Sequence, residues 1–203
     1  MKDCNNLTEE DGILLVKTAR HTVTTYLNSN TKFNPEKKFK EDFSFNSGVF
    51  VTLNNSLGLR GCIGYSLPDK KLSNALQNAS IAAATEDPRF SPVTSQELDS
   101  ITFEVTVLTT PKKILVNDPK EYPSKIKVGR DGLIVKNKFN SGLLLPQVPI
   151  EYNWNEEEFL EYTCEKAGLP KYCWKDPNTE IQKFEGIVFK EETPNGIIVQ
   201  KKI

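Results

Sequence analysis

Leu59-Arg60-Gly61-Cys62-Ile63-Gly64 is a short apolar run holding one arginine and one cysteine between glycines. Read as a strand, it sets Leu59, Gly61, Ile63 and Tyr65 on one face and Arg60, Cys62 and Gly64 on the other. Alternate strand residues lie about 6.6 Å apart along the chain, so the long Arg60 side chain is expected to reach the Cys62 sulfur and favour its thiolate. Glycine inside a strand marks a bulge or a place where another backbone or a ligand comes close. The competing reading is packing, because cysteine is among the most buried residue types.

Residues 49–53 precede the run as a second strand, and the turn at 54–58 makes the pair a hairpin. A helix is predicted over 71–86, with Leu72, Leu76, Ala79 and Ala83 on one face and enough alanine for close packing on a sheet. Pro88 ends it, since the residue before proline disfavours helical geometry. Glu86 and Asp87 then put negative charge at the helix C-terminus, a cost of ~0.3–1 kcal/mol each. Arg89, in the stiff loop between Pro88 and Pro92, is the nearest compensating cation. Two roles stay open for this group: a local ion pair, or carboxylates facing a substrate or Arg60.

Upstream, Thr8 with Asp11 three residues on predicts a capped helix carrying Leu15, Ala19, Val23 and Tyr26 as its stripe. His21, the only histidine, lies off that stripe and reads as solvated. Residues 28–46 read as a long, partly anchored connection. Downstream, 101–108 alternates cleanly, with Ile101, Phe103, Val105 and Val107 opposite Thr102, Glu104 and Thr106. Residues 119–125 read as irregular, and 127–136 and 141–145 as strands, with a turn or bulge at Gly129-Arg130-Asp131-Gly132. Asn155 and Glu158 cap a further helix whose inner face is Phe159, Leu160, Thr163, Cys164 and Ala167. Residues 181–190 and 197–201 close the chain as strands.

The chain has 203 residues with 26 Lys+Arg against 27 Asp+Glu, a net charge of -1 that argues against nucleic-acid binding through bulk positive charge. It has neither a GxGxxG fingerprint, nor a phosphate-binding loop, nor a metal-ligating histidine pair, so no cofactor or metal is expected. Residues 1–10 are polar and acidic and no apolar run approaches the ~20 residues that span a bilayer, which predicts a soluble cytoplasmic protein. The four cysteines form no CxxC pair, so free thiols are expected, with a Cys164–Cys173 bond left open. Only four of the cations are arginines, and Arg60, Arg89 and Arg130 each sit beside glycine or proline. Lysine serves surface solubility here, so these three are expected to have defined partners, either internal carboxylates or a ligand.

Taken together, the chain resembles the AMMECR domain family, named after a chromosomal region linked to Alport syndrome and elliptocytosis. The resemblance rests on Leu59 to Gly64, on Thr85-Glu86-Asp87-Pro88-Arg89-Phe90, and on Gly129-Arg130-Asp131-Gly132-Leu133. It continues through Gly142-Leu143-Leu144-Leu145-Pro146-Gln147-Val148 and from Trp154 through Phe159-Leu160 to Lys166-Ala167-Gly168-Leu169. It implies an α+β fold, an antiparallel sheet flanked by helices in two subdomains, the larger built from both chain ends. It also implies a cleft between them, beside the Arg-Gly-Cys motif, as a substrate site. Family association with Memo-like and radical-SAM proteins implies a macromolecule-modification pathway, with no chemistry established for the family itself.

Two functions follow. In the first, an enzyme or enzyme component uses Cys62 as nucleophile or covalent carrier, with Glu86 or Glu104 handling protons. In the second, a non-catalytic module binds an anionic ligand, a nucleic acid or a partner protein. The candidate binding set for either is Arg60, Gly61, Gly64, Asp87, Arg89, Arg130 and Gln147.

Overall fold

In the computed structural model, which describes residues 2–201, Thr8 caps the first helix, α1 (Glu9–Ser29), and its hydroxyl accepts the Asp11 N–H while Asp11 bonds back to Thr8. The chain continues through α2 (Lys37–Asp42), the hairpin β1 (Val49–Asn55) and β2 (Gly58–Tyr65), α3 (Leu72–Thr85) and β3 (Thr102–Leu108). Next come β4 (Lys112–Lys113), β5 (Asp131–Lys136), β6 (Ser141–Leu144), α4 (Val148–Glu151) and α5 (Glu156–Lys166). The long β7 (Glu180–Glu191) and β8 (Ile198–Lys201) end the fold. Every strand pairing whose register is described is antiparallel, and with the helices this is an α+β fold.

The described residues divide into two units, the first made of residues 2–109 and 187–201 and the second of 110–186. In the first, strand order runs β2-β1-β3 and on to the end of β7, which pairs β8. Val49, Val51, Leu53, Phe103, Val105 and Val107 point from the strands into a core closed by Leu15, Ala19 and Val23 of α1 and Leu72, Leu76, Ala79 and Ala83 of α3. The alternation in the sequence produced this face, because a half-buried sheet sorts side chains with period two. Arg20 anchors the end of the same core: it forks onto Glu191 and donates to the carbonyls of Leu98 and Ile101, while Glu191 accepts the Phe103 N–H.

In the second unit β4 and β5 flank β7, and β6 pairs β5. Phe159, Leu160 and Cys164 of α5 pack with Leu133, Val135, Ile181 and Trp174. Asn155 accepts from the N–H groups of Glu157 and Glu158, as its position in the sequence predicts.

Several expectations change. The 28–46 connection contains α2, because Phe39 and Phe43, one helical turn apart, are both drawn into the core. Residues 119–125 form two short 3-10 turns, the first capped by Asp118. The strand expected from residue 127 starts at Asp131: Gly129 has φ +87° and the Asp131 carboxylate accepts the Lys127 N–H, so the preceding residues turn instead. Cys164 and Cys173 are not free thiols but a disulfide.

The hairpin holds the largest correction. Leu53 lies opposite Gly61, yet Asn54 lies opposite Leu59, so β2 carries one extra residue, Arg60. That bulge breaks the alternation. Gly61, Ile63 and Tyr65 keep the core face, whereas Leu59 crosses to the outside and is 41% exposed.

Candidate functional site

β2 is an edge strand, and its outer main-chain groups need partners that no neighbouring strand supplies. The loop after α3 provides them. Asp87 Oδ2 accepts the Cys62 N–H at 2.8 Å, and Arg89 Nη2 donates to the Cys62 carbonyl at 3.3 Å. Arg89 is in turn forked onto Asp87, with Nε to Oδ1 at 2.9 Å and Nη2 to Oδ2 at 2.7 Å, and its own N–H also reaches Oδ1. The pair thus occupies the edge as another strand would. The Arg89 hydrogen bonds come first among the causes that hold the Asp87 carboxyl well below its ordinary range, outweighing the opposing effect of burial.

Arg60 makes the second attachment of the same loop. Re-aimed by the bulge, it donates from Nε to Glu97 Oε1 at 2.9 Å, from Nη2 to Glu97 Oε2 and the Pro92 carbonyl at 3.3 Å each, and from Nη1 to the Ser91 carbonyl at 2.8 Å. Its side chain is 12% exposed, and all three of its nitrogens are engaged. The cation acting on Cys62 is therefore Arg89 and not Arg60. Glu97, bonded first by Arg60 and then by the Thr94 N–H, is held down at about 2.

Cys62 itself faces outward at half-burial, opposite Thr52 on β1, which in turn lies opposite Glu104 on β3. The Thr52 hydroxyl donates to Cys62 Sγ at 3.3 Å. Burial pushes the thiol upward; the Thr52 bond and the Arg89 charge pull it down, while Asp87 and Glu104 push it up again, and the net result is a raised pKa. At neutral pH the group is a thiol. Glu86 is exposed at the end of α3, and the carboxylates acting on Cys62 are Asp87 and Glu104. His21 leans on Phe33, with ring centroids 5.7 Å apart.

Both glycines of the motif are explained by packing. A Cβ on Gly61 would run into the Ala83 carbonyl oxygen of α3, and one on Gly64 into the Val49 carbonyl and the Phe50 ring. In the second unit, Arg130 forks onto its neighbour Asp131 at 2.7 and 2.8 Å and approaches Glu185 at 3.5 Å. Burial would raise the Asp131 carboxyl, yet the Arg130 fork, the Lys127 N–H and the Lys183 charge hold it below its ordinary range. Gln147 is exposed at the start of α4.

A profile of the AMMECR1 family matches residues 16–189, a span that takes in both units. The chain belongs to the AMMECR1 family. A protein of Thermococcus gammatolerans is 48% identical over 200 residues, covering 96% of this chain and 97% of its own length. Protein MJ0810 of Methanocaldococcus jannaschii is 48% identical over 199 residues, covering 97% and 98%. The crystal structure of the uncharacterized protein PH0010 from Pyrococcus horikoshii superposes with a TM-score of 0.83 at 46% identity, over 97% of this chain and 99% of that one. Of the stretches on which the resemblance in the sequence rests, Leu59 to Gly64 and Thr85 to Phe90 meet along the edge of β2, joined by Thr52, Glu104 and Glu97. Thr52 and Glu97 carried no motif signal. The hairpin register alone places Thr52 opposite the cysteine, and Glu97 becomes visible only once Arg60 is known to be the bulged residue.

Among the described residues no helix is long and apolar enough to cross a membrane, and no group of three His, Cys, Asp or Glu side chains is placed to hold a metal ion.

Proposed function

We propose that the outer face of the first unit around Cys62 is a recognition site for an anionic group, and that the protein acts as a binding component of a macromolecule-modification pathway in the cytoplasm. The observation that carries this reading is the state of Arg89. Its guanidinium is locked in place by Asp87, yet its side chain remains 53% exposed, and Nη1 lies outside the bonds to Asp87 and Cys62. A fixed guanidinium whose Nη1 edge alone is open is preorganised to donate to one oxygen of a carboxylate or phosphate. Arg60 has no such edge left, so its place in the set is to hold the loop that carries Arg89. Family association makes Memo-like and radical-SAM proteins the first partners to try.

The test measures binding of such a partner to wild type, Arg89→Lys and Cys62→Ser, with melting curves confirming that each variant folds. Recognition through Arg89 requires retained binding in Cys62→Ser and a loss of about tenfold in Arg89→Lys, the loss of one charge-assisted hydrogen bond from a fixed donor. Equal loss in both would move the function to the thiol.

A second reading keeps Cys62 as a nucleophile. It is favoured by Thr52 and Arg89, the two groups at the sulfur that stabilise a thiolate. Against it stand the raised resting pKa and the lack of a histidine among the groups acting on the sulfur.

A further inference from the structure

The second unit carries an aromatic stack that the reading above does not use. Asn153 has φ +54°, a left-handed residue between α4 and α5, and the rings on either side of it, Tyr152 and Trp154, stack with centroids 4.9 Å apart and planes at 17°. Trp154 lies in turn on Tyr162 of α5, at 4.0 Å and 13°. Its N–H and that of Asn153 donate to the Pro149 and Ile150 carbonyls, so the turn presenting the rings is held by its own main chain. Three rings in parallel register form a rigid object. Tyr152 is nevertheless 63% exposed and Tyr162 38%, with Ile150 also exposed beside them.

The charges around the stack are mostly negative. Glu158 and Glu165, one turn before and after Tyr162, share its side of α5, and Glu151 adjoins Tyr152. Of the neighbouring cations, Lys171 is tied to Glu161 at 3.1 Å and Lys175 lies 3.7 Å from Glu157, which leaves Lys166 as the nearby counter-charge on that side of the helix. An exposed aromatic face with Glu151 and Glu165 beside it, and Glu158 bonded to the Asn155 N–H at the helix start, disfavours phosphate backbones and anionic lipid surfaces. It suits a planar cation, which stacks on a ring while its edge meets carboxylates.

We propose that Tyr152, Trp154 and Tyr162 form a docking surface for an arginine-bearing, positively charged segment of a partner protein. The outer face of Tyr152 takes the guanidinium, and Glu151, Glu158 and Glu165 supply the complementary charge.

The experiment titrates the full chain with a dye-labelled peptide of alternating Gly and Arg, alongside its Gly-Lys counterpart and a single-stranded DNA oligonucleotide. Binding of the Arg peptide is expected to weaken about tenfold in Tyr152→Ala and several-fold with Lys for Arg, as loss of a stacked cation requires. Glu165→Gln, at an exposed position, should weaken it less and flatten its salt dependence. Absence of Arg-peptide binding, equal affinity in Tyr152→Ala, or equal affinity for both peptides would overturn the proposal. Preferential binding of the oligonucleotide, lost in Tyr152→Ala, would overturn it in favour of a base-stacking platform.

Discussion

The buried carboxylate of Asp87 accepts the main-chain N–H of Cys62 at 2.8 Å, so a side chain from the loop after α3 completes the hydrogen bonding of an edge strand. The side chain is 3% exposed and also receives three bonds from Arg89. Asp87→Asn keeps the shape but removes the charge that all four donors share. The expected cost is about 2 kcal/mol, moderated because Arg89 can return to water, and a urea midpoint measures it. The folded carboxyl lies below its ordinary 3.8, so its contribution is present above that pH and is lost as pH falls below it. Asp87→Asn should therefore remove part of the acid sensitivity of wild type.

Arg60 and Glu97 make the companion attachment. Lysine cannot reproduce a fork that meets two carboxylate oxygens and two carbonyls, so Arg60→Lys is expected to lose about 1 kcal/mol and raise proteolysis in the 91–97 loop. Glu97 is lowered from 4.5 to about 2, so its share of stability holds above pH 4.5 and disappears as pH falls towards 2. Glu97 is about a third exposed, which keeps this share small. Stability curves of Glu97→Gln and wild type should converge near pH 2. Curves that stay parallel from pH 6 to 2 would contradict this pairing.

Cys62 should be a slow thiol. Its pKa is raised, so alkylation at pH 7 is expected below the rate of an unstructured cysteine peptide, and should still be climbing at the pH where the peptide's rate levels off. Thr52→Val deletes the bond to sulfur and Arg89→Gln the nearby charge, and each should slow alkylation further at pH 8. Glu104→Gln removes an opposing charge and should speed it. A wild-type rate above the peptide's would restore the nucleophile reading.

The fold was legible wherever one local rule governed: the capped starts of α1 and α5, and the strict alternation of β3, each follow from residues within a turn or a strand of one another. The site was legible as a set of motifs but not as geometry. Arg60 sits two residues from Cys62 and reads as its neighbour, but a one-residue bulge redirects it to Glu97, 37 positions away. Arg89 was legible as compensation for acid at the end of α3, and it meets Asp87 as that argument requires. What no local rule supplied was that the same pair would complete the edge of β2, because that depends on strand order.

The Cys164–Cys173 bond closes a loop between residues nine apart, joining α5 to the turn that carries Trp174. Confining so short a loop in the unfolded chain is worth about 2–3 kcal/mol on the chain-entropy account. The double variant Cys164→Ser, Cys173→Ser should therefore unfold at lower urea, read by the emission of buried Trp174. In cells the state of the bond is set by its potential against the redox poise around it. Thiol labelling of freshly lysed cells should leave both cysteines unmodified if the bond is maintained there.

Gly61 separates close packing from backbone freedom in one experiment. A methyl group there meets the main-chain oxygen of Ala83, which can move only if α3 lifts from the sheet. Gly61→Ala is expected to cost at least about 2–3 kcal/mol, or to prevent folding. Gly58 has open space around its missing Cβ but a φ of +113°, so Gly58→Ala carries only the conformational penalty, about 1 kcal/mol. The order of the two melting temperatures decides the matter. A Gly61→Ala protein at least as stable as Gly58→Ala would mean that α3 is not seated against the cysteine strand, and the attachment of the Asp87 loop would have to be explained without it.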